Sequence, residues 1–330
     1  MAVTLKQIAE QCQISAAAVS MAINGKPGVS EETRALVLKT AAELGYRANQ
    51  NGRSLRLART GNIGVYFPST VLEYSLYYAE VTRGIVAGLA PTDLAPVLLP
   101  SALETGDVRD FPAVDGTIIV EPHSNDLGML ELLRGDAPTV CVDPPPASAA
   151  QPWGIIDSET ETSVLDALAH MRSRGSRRPG ILTVERVSVW TETLVRTYRE
   201  WCLAEGIEPV VLHVEVQQSN DAVREQLRQA LQSGPDACDG LFVCGDGFAA
   251  RIAGVLRSLG LAAGEDIALV SGVDSTIMEF HTPPITSLDM NPFHFGQRAA
   301  QMMTGLLERT ERPEQTLLER IDAPLIARTT

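Results

Sequence analysis

From residue 61 onward the chain alternates short apolar runs with amphipathic helical stretches, and this alternation constrains the fold more than any other feature. Apolar runs at 62–67, 117–120, 139–142, 154–156, 180–184, 210–214, 240–244 and 267–270 read as strands. Helical patterning covers 77–89, 127–134, 161–174, 193–205, 222–232 and 248–259. Strand–helix units of this size return each strand to a parallel neighbour, giving sheets covered by helices on both faces. Roughly a dozen units exceed what one compact sheet holds, so the expectation is an α/β region of two lobes.

The first sixty residues follow a different rule. Thr4-Leu5-Lys6-Gln7 has the Ser/Thr-x-x-Gln form of a capping box, and Leu5, Ile8 and Ala9 share a face of the helix it opens. Ser15 caps a second helix with Val19, Ala22 and Ile23 at core spacing. The breaker cluster Asn24-Gly25-Lys26-Pro27-Gly28 precedes Ser30, which caps a third helix. Glu31 and Glu32 suit its positive end, and Gly45 follows its last turn. Two short helices across a tight turn, buttressed by a third, make a helix-turn-helix. By itself this pattern is shared with many small bundles.

Charge separates the two regions. The net charge is −14, an awkward value for a nucleic-acid binder, yet residues 1–60 hold eight Lys and Arg against four Glu, a net of +4. The remainder stands at −18, so a basic head sits on an acidic body suited to touching phosphates at one end only. No run of 18 apolar residues suggests a membrane span, and the N-terminus lacks a signal-peptide layout, so a cytoplasmic location is expected. The five cysteines (Cys12, Cys141, Cys202, Cys238, Cys244) are odd in number and lack CxxC spacing; with the scattered histidines this argues against disulfides and metal, and they read as small buried hydrophobes. Neither a P-loop, GxSxG, HExxH nor a catalytic carboxylate pair is present, so neither an enzyme nor a cofactor is expected.

The wording of the head is more specific than its pattern. Val3-Thr4-Leu5, Ile8-Ala9, Val19-Ser20, Asn24-Gly25, Val29-Ser30, Thr33-Arg34 and Glu43-Leu44-Gly45-Tyr46 occur in this order, followed by Asn49, Arg53-Ser54-Leu55-Arg56, Arg59-Thr60 and Ile63-Gly64-Val65. In these residues the chain resembles the LacI/GalR regulators. Further along, Val114-Asp115-Gly116-Thr117-Ile118-Ile119, Cys141-Val142-Asp143, Ser271-Gly272-Val273-Asp274 and Thr282-Pro283-Pro284-Ile285-Thr286 resemble the periplasmic-binding-protein-like core of that family. The resemblance implies a helix-turn-helix domain over 1–47, a hinge over 48–60, and a two-subdomain effector-binding and dimerisation core over 61–330. It implies a repressor that binds a pseudo-palindromic operator on double-stranded DNA as a homodimer, under the control of a small polar molecule. A core that serves only as a dimerisation scaffold is the alternative.

Carried over residue by residue, the resemblance implies DNA contacts at Thr4, Ser15, Ala16, Ala17, Ser20, Met21, Asn24, Ser30, Thr33, Arg34 and Tyr46 in the head. In the hinge it implies Asn49, Arg53, Leu55 and Arg56, with Leu55 as a wedge between base steps of the minor groove. Ligands of open α/β sheets sit at the carboxyl ends of strands, which nominates Ser69, Tyr74, Asp143, Asp246 and Asp274, with Trp190 for stacking.

The chain departs from the family pattern at telling places. Gln13 stands where glycine is usual, Ala18 where threonine is, Met21 where arginine is common, and Gly52 replaces a hinge alanine. The recognition helix thus opens Ser15-Ala16-Ala17-Ala18, which can meet thymine methyls but makes no bidentate base contact, so phosphate contacts and DNA deformation carry more of the specificity. In the core, Leu194 stands where a ligand arginine is usual, Gly245 replaces the Asn of an Asn-Asp pair, and Gln217 and Gln218 stand where an aromatic is expected.

Overall fold

A computed structural model describes residues 3–23, 25–46, 59–68, 75–101, 105–184, 188–215, 217–231 and 237–330. The chain divides into two compact units, Met1–Thr60 and Gly61–Thr330. The first contains α1 (Leu5–Cys12), α2 (Ala16–Ile23) and α3 (Glu31–Glu43). Ile8, Ala9, Val19, Ala22, Val37 and Ala41 form its core. The capping box forms as its spacing predicts: Thr4 Oγ1 accepts from Gln7 N–H, and Gln7 Oε1 accepts from Thr4 N–H at 2.8 Å. Gln13 adopts φ 56°, the left-handed conformation expected of that turn, which costs a side-chain-bearing residue about 1 kcal/mol.

The second unit holds two six-stranded sheets. The first lobe contains β1 (Asn62–Tyr66), β2 (Ala95–Leu98), β3 (Gly116–Val120), β4 (Thr139–Val142), β5 (Gly154–Ser158) and β11 (Leu317–Ile321), in the order β11-β5-β4-β3-β1-β2 and parallel throughout. The second contains β6 (Pro179–Val184), β7 (Val211–Val214), β8 (Gly240–Val243), β9 (Ala268–Ser271), β10 (Thr286–Leu288) and β12 (Leu325–Ile326), in the order β12-β10-β9-β8-β6-β7. Only β12 pairs antiparallel among the described ladders. β3 and β4 are buried along their whole length, as strands covered on both faces must be.

The helices of this unit are α4 (Ser75–Leu89), α5 (Leu127–Arg134), α6 (Thr160–Ser173), α7 (Val189–Glu205), α8 (Asn220–Ala230), α9 (Phe248–Ser258), α10 (Thr276–Phe280) and α11 (Pro292–Leu307). α7 begins four residues before the sequence expectation because Ser188 caps it, accepting from Thr191 N–H at 3.3 Å. Six elements go beyond the sequence reading: the short β10, β12 and α10, and three that shape the first lobe. β2 carries Pro96 and is tolerated because it lies at a sheet edge. β11 completes the first sheet from the far end of the chain. α11 packs across α4 so closely that a Cβ on Gly84 would land inside the Phe293 carbonyl, and one on Gly296 inside the Val81 carbonyl. Phe295, Ala299 and Met303 of α11 thereby enter the first lobe's core beside Val81 and Ile85.

Candidate functional site

In the head unit, the N-terminal end of α2 offers the open surface. Ser15, Ala16 and Ala17 are exposed, and Ser15 Oγ caps the helix by accepting from Ala18 N–H at 3.1 Å. Thr4 and Ser30 are also exposed, each at a helix N-terminus where free N–H groups suit a phosphate. Ser20, Met21, Thr33 and Tyr46 are half-buried. The Met21 thioether lies against Gly28 in the turn after α2. Arg34 differs from expectation. Its guanidinium donates to the carbonyls of Ala22 at 3.1 Å and Lys26 at 2.9 Å and pairs with Glu31 at 3.5 Å, so it fastens the loop between α2 and α3. Asn24, Asn49, Arg53, Leu55 and Arg56 lie outside the described residues.

In the second unit, strand carboxyl ends from both lobes face a shared cleft. Sheet order reverses around β1 in the first lobe and around β6 in the second, and crevices open at such switch points. Glu121 follows β3, Asp143 follows β4, Gly245 and Asp246 follow β8, Val273 follows β9, and Met290 follows β10. Tyr77 and Tyr78 enter from the first turn of α4, and Trp190 and Thr191 from that of α7. Asp143, Trp190 and Asp246 are therefore brought together, whereas Ser69 and Tyr74 lie outside the described residues.

The electrostatics of the cleft are one-sided. Asp143 is 5% exposed, takes a left-handed φ of 71°, and its Oδ1 has no hydrogen-bond partner. Burial pushes its carboxyl well above the usual range, and the neighbouring Glu121 and Asp157 carboxylates push the same way. Glu121 is likewise left-handed at φ 49°; it accepts from the Tyr78 hydroxyl and lies 3.5 Å from His123 Nε2. Paired left-handed non-glycine residues at adjacent strand ends are uncommon and cluster at functional sites. Asp246 Oδ2 accepts from the Tyr77 backbone N–H at 3.1 Å, a bond from one lobe to the other. Its buried Oδ1 has no partner in good hydrogen-bond geometry, although the Ser275 side chain and the Gly247 N–H lie near enough to the carboxylate to favour its charge. Burial raises its carboxyl too. The Tyr77 phenol is pushed up by burial and by the Asp143 and Glu121 charges.

Asp274 stands at a strand end as expected, and its carboxylate is engaged by other parts of this unit. Arg328 grips it through two contacts, at 2.7 and 3.1 Å, and Ser287 Oγ donates to the same carboxylate. This partner follows β12, 54 residues away, and no local pattern announces it. Asp274→Ala should therefore destabilise this unit by about 2 kcal/mol, the scale for losing a charge-assisted pair that leaves its partner half-buried. Thermal unfolding without any small molecule would register the loss; an unchanged transition with weakened ligand binding would return Asp274 to the cleft.

Leu194, standing where an arginine is usual, is fully buried in the second lobe's core beside Tyr198 and Cys202. Arg196 does not take over the role: it pairs with Glu161 at 2.6 Å and Glu200 at 3.4 Å and lines an adjoining hollow with Asp157 and Arg320. Glu121 escaped the sequence reading, although it carries the same signal as Asp143, an acidic residue immediately after a buried parallel strand. Among the described residues no helix is long and apolar enough to cross a membrane, and the cysteines are all free thiols.

Residues 4–49 match the family model described as bacterial regulatory proteins, lacI family. Residues 168–330 match that of a periplasmic binding protein-like domain. The HTH-type transcriptional regulator CelR of Thermobifida fusca is 26% identical over 327 residues, spanning 96% of this chain and 95% of that protein. Catabolite control protein A of Streptococcus mutans serotype c (strain ATCC 700610 / UA159) is 24% identical over 326 residues, with 96% and 95% covered. Among solved structures, the Lac repressor dimer bound to operator and the anti-inducer ONPF superposes with a TM-score of 0.82 at 21% identity, covering 100% of this chain and 99% of that one. A CelR–cellobiose complex superposes with a TM-score of 0.69 at 24% identity, covering 99% of each chain.

Proposed function

The chain belongs to the LacI/GalR family of DNA-binding transcriptional regulators, and from that premise we propose that it is a repressor whose grip on an operator is set by a small polar molecule held in the cleft between the two lobes. It binds double-stranded operator DNA as a homodimer, each head placing the exposed start of α2 in the major groove. Ser15, Ala16 and Ala17 approach base edges and methyls, while Thr4 and Ser30 meet phosphates through their helix N-termini. Asn49, Arg53, Leu55 and Arg56 form the hinge contacts, with Leu55 opening a base step.

The observation that supports effector control over a scaffold-only core is the pair of buried, unpartnered carboxylate oxygens on Asp143 and Asp246, one from each lobe, facing one space. A core that only dimerised would gain nothing from leaving them unsatisfied, since such groups cost stability unless a ligand or water meets them. The Tyr77–Asp246 bond ties the lobes at the place a ligand would occupy, so binding there would bias lobe closure and, through it, the heads.

The test is selection of genomic DNA fragments by the full chain, followed by challenge of the complex with a metabolite library. Recovered sites should share a pseudo-palindrome, and at least one polar small molecule should shift their affinity. Recovery of asymmetric sites would remove the dimeric operator; a symmetric site indifferent to every metabolite would restore the scaffold reading.

A further inference from the structure

We propose that the cleft takes a ligand bearing a protonated amine beside hydroxyl groups, such as an amino sugar, with the ammonium held at Asp143 beside Glu121 and the hydroxyls toward Asp246 and the Trp190 ring. The proposal rests on the effector reading above and adds the charge of the ligand. Three carboxylate side chains face the cleft, and among the described residues neither lysine nor arginine lines it. The guanidiniums bordering the adjoining hollow are already engaged, Arg196 with Glu161 and Glu200, and Arg320 with Asp157 at 3.7 Å. The position where the family pattern carries a cation holds the core residue Leu194.

A neutral sugar offers hydroxyl donors to these carboxylates but brings no positive charge to Asp143 and Glu121, which oppose each other's ionisation. An ammonium group supplies both what the buried Oδ1 of Asp143 lacks and what the cluster lacks, a strong donor and a positive charge. Trp190, Tyr77 and Tyr78 give the cleft aromatic walls, and aromatic faces attract cations. An anionic ligand would meet a cleft lined by three carboxyl groups and, among the described residues, by neither lysine nor arginine. A metal ion fits poorly, because among the described residues the His, Cys, Asp and Glu side chains do not gather into a group able to hold one. Glu121 is also shared with the Tyr78 hydroxyl, and Asp246 with a backbone N–H, which suits a small organic cation with a few directed donors.

The experiment is titration calorimetry of the full chain near neutral pH, which favours the ionised carboxylates, with matched sugars that differ at one substituent. The pairs are glucosamine with glucose and galactosamine with galactose, with glucuronate as the acidic member. The amine member of at least one pair should bind at least about tenfold tighter than its neutral partner. Asp143→Asn should erase that preference while changing the neutral partner's affinity by less than about threefold. Should Asp143→Asn fail to fold, Glu121→Gln serves the same comparison. Neutral sugars binding as well as their amines, or glucuronate binding best, would overturn the amine and leave effector control standing. Silence from every sugar at millimolar concentration would overturn the amine sugar, and the metabolite challenge of the operator complex then decides effector control by itself.

Discussion

Affinity of the full chain for its operator is expected to fall about a thousandfold between roughly 50 and 200 mM salt. Eight Lys and Arg lie in residues 1–60, and a dimer presents two such sets. Arg34 is discounted, because the Ala22 and Lys26 carbonyls and Glu31 hold its guanidinium. If about six phosphates are neutralised, the log–log slope is about −5, which corresponds to that loss. The rest of the chain cannot contribute, since it carries a net −18 and repels the duplex. Fluorescence anisotropy on labelled operator at stepped salt measures the slope directly. A slope near zero would remove the head from the DNA contact altogether.

The second large effect concerns packing. Gly296→Val should destabilise the second unit by about 3 kcal/mol or more, lowering its unfolding midpoint by on the order of 10 °C. The reason is steric: a Cβ at Gly296 has no room beside the Val81 carbonyl, and the matching position on α4, Gly84, has none beside Phe293. The only relief is to part α4 from α11, which would open the core around Val81, Ile85, Phe295 and Ala299. Calorimetry would show whether this transition moves. A midpoint within a degree or so of the parent would mean the two helices do not cross this tightly.

Most of the strands were legible because parallel α/β units announce themselves: an apolar run, then a helical period, repeated. The head was legible for a different reason, since its caps sit beside the helices they start, as with Thr4 and Ser30. What escaped the sequence depends on partners distant along the chain. Asp246 and Asp274 look alike as carboxylates after apolar strands, yet one faces the cleft and the other is consumed by Arg328. Arg34 looks like a free basic residue on a DNA-binding head until the α2–α3 loop folds its carbonyls onto it. α11 went unread because its pattern, with small residues such as Gly296, Ala299 and Ala300 in the buried stripe, follows the surface of α4 rather than a bulky apolar template. Glu121 was within reach, since it ends its strand as Asp143 does.

The interleaving of the two lobes has a consequence for the chain as it is made. Five strands of the first sheet are present once Ser158 has emerged, but the sixth, Leu317–Ile321, follows only after the whole second sheet up to β10 has been synthesised. Phe295, Ala299 and Met303, which fill that lobe's core, arrive almost as late. At about 5–20 residues per second, the first lobe waits on the order of 10–30 s with β5 bare at its edge and its interior unfilled. A strand such as Gly154-Ile155-Ile156, apolar and without its neighbour, is a template for pairing with the same strand on a chain from an adjacent ribosome. The nascent chain thus depends on chaperones or on sparse translation for that interval. Sparser expression, which keeps half-made lobes apart, should therefore raise the yield of native protein.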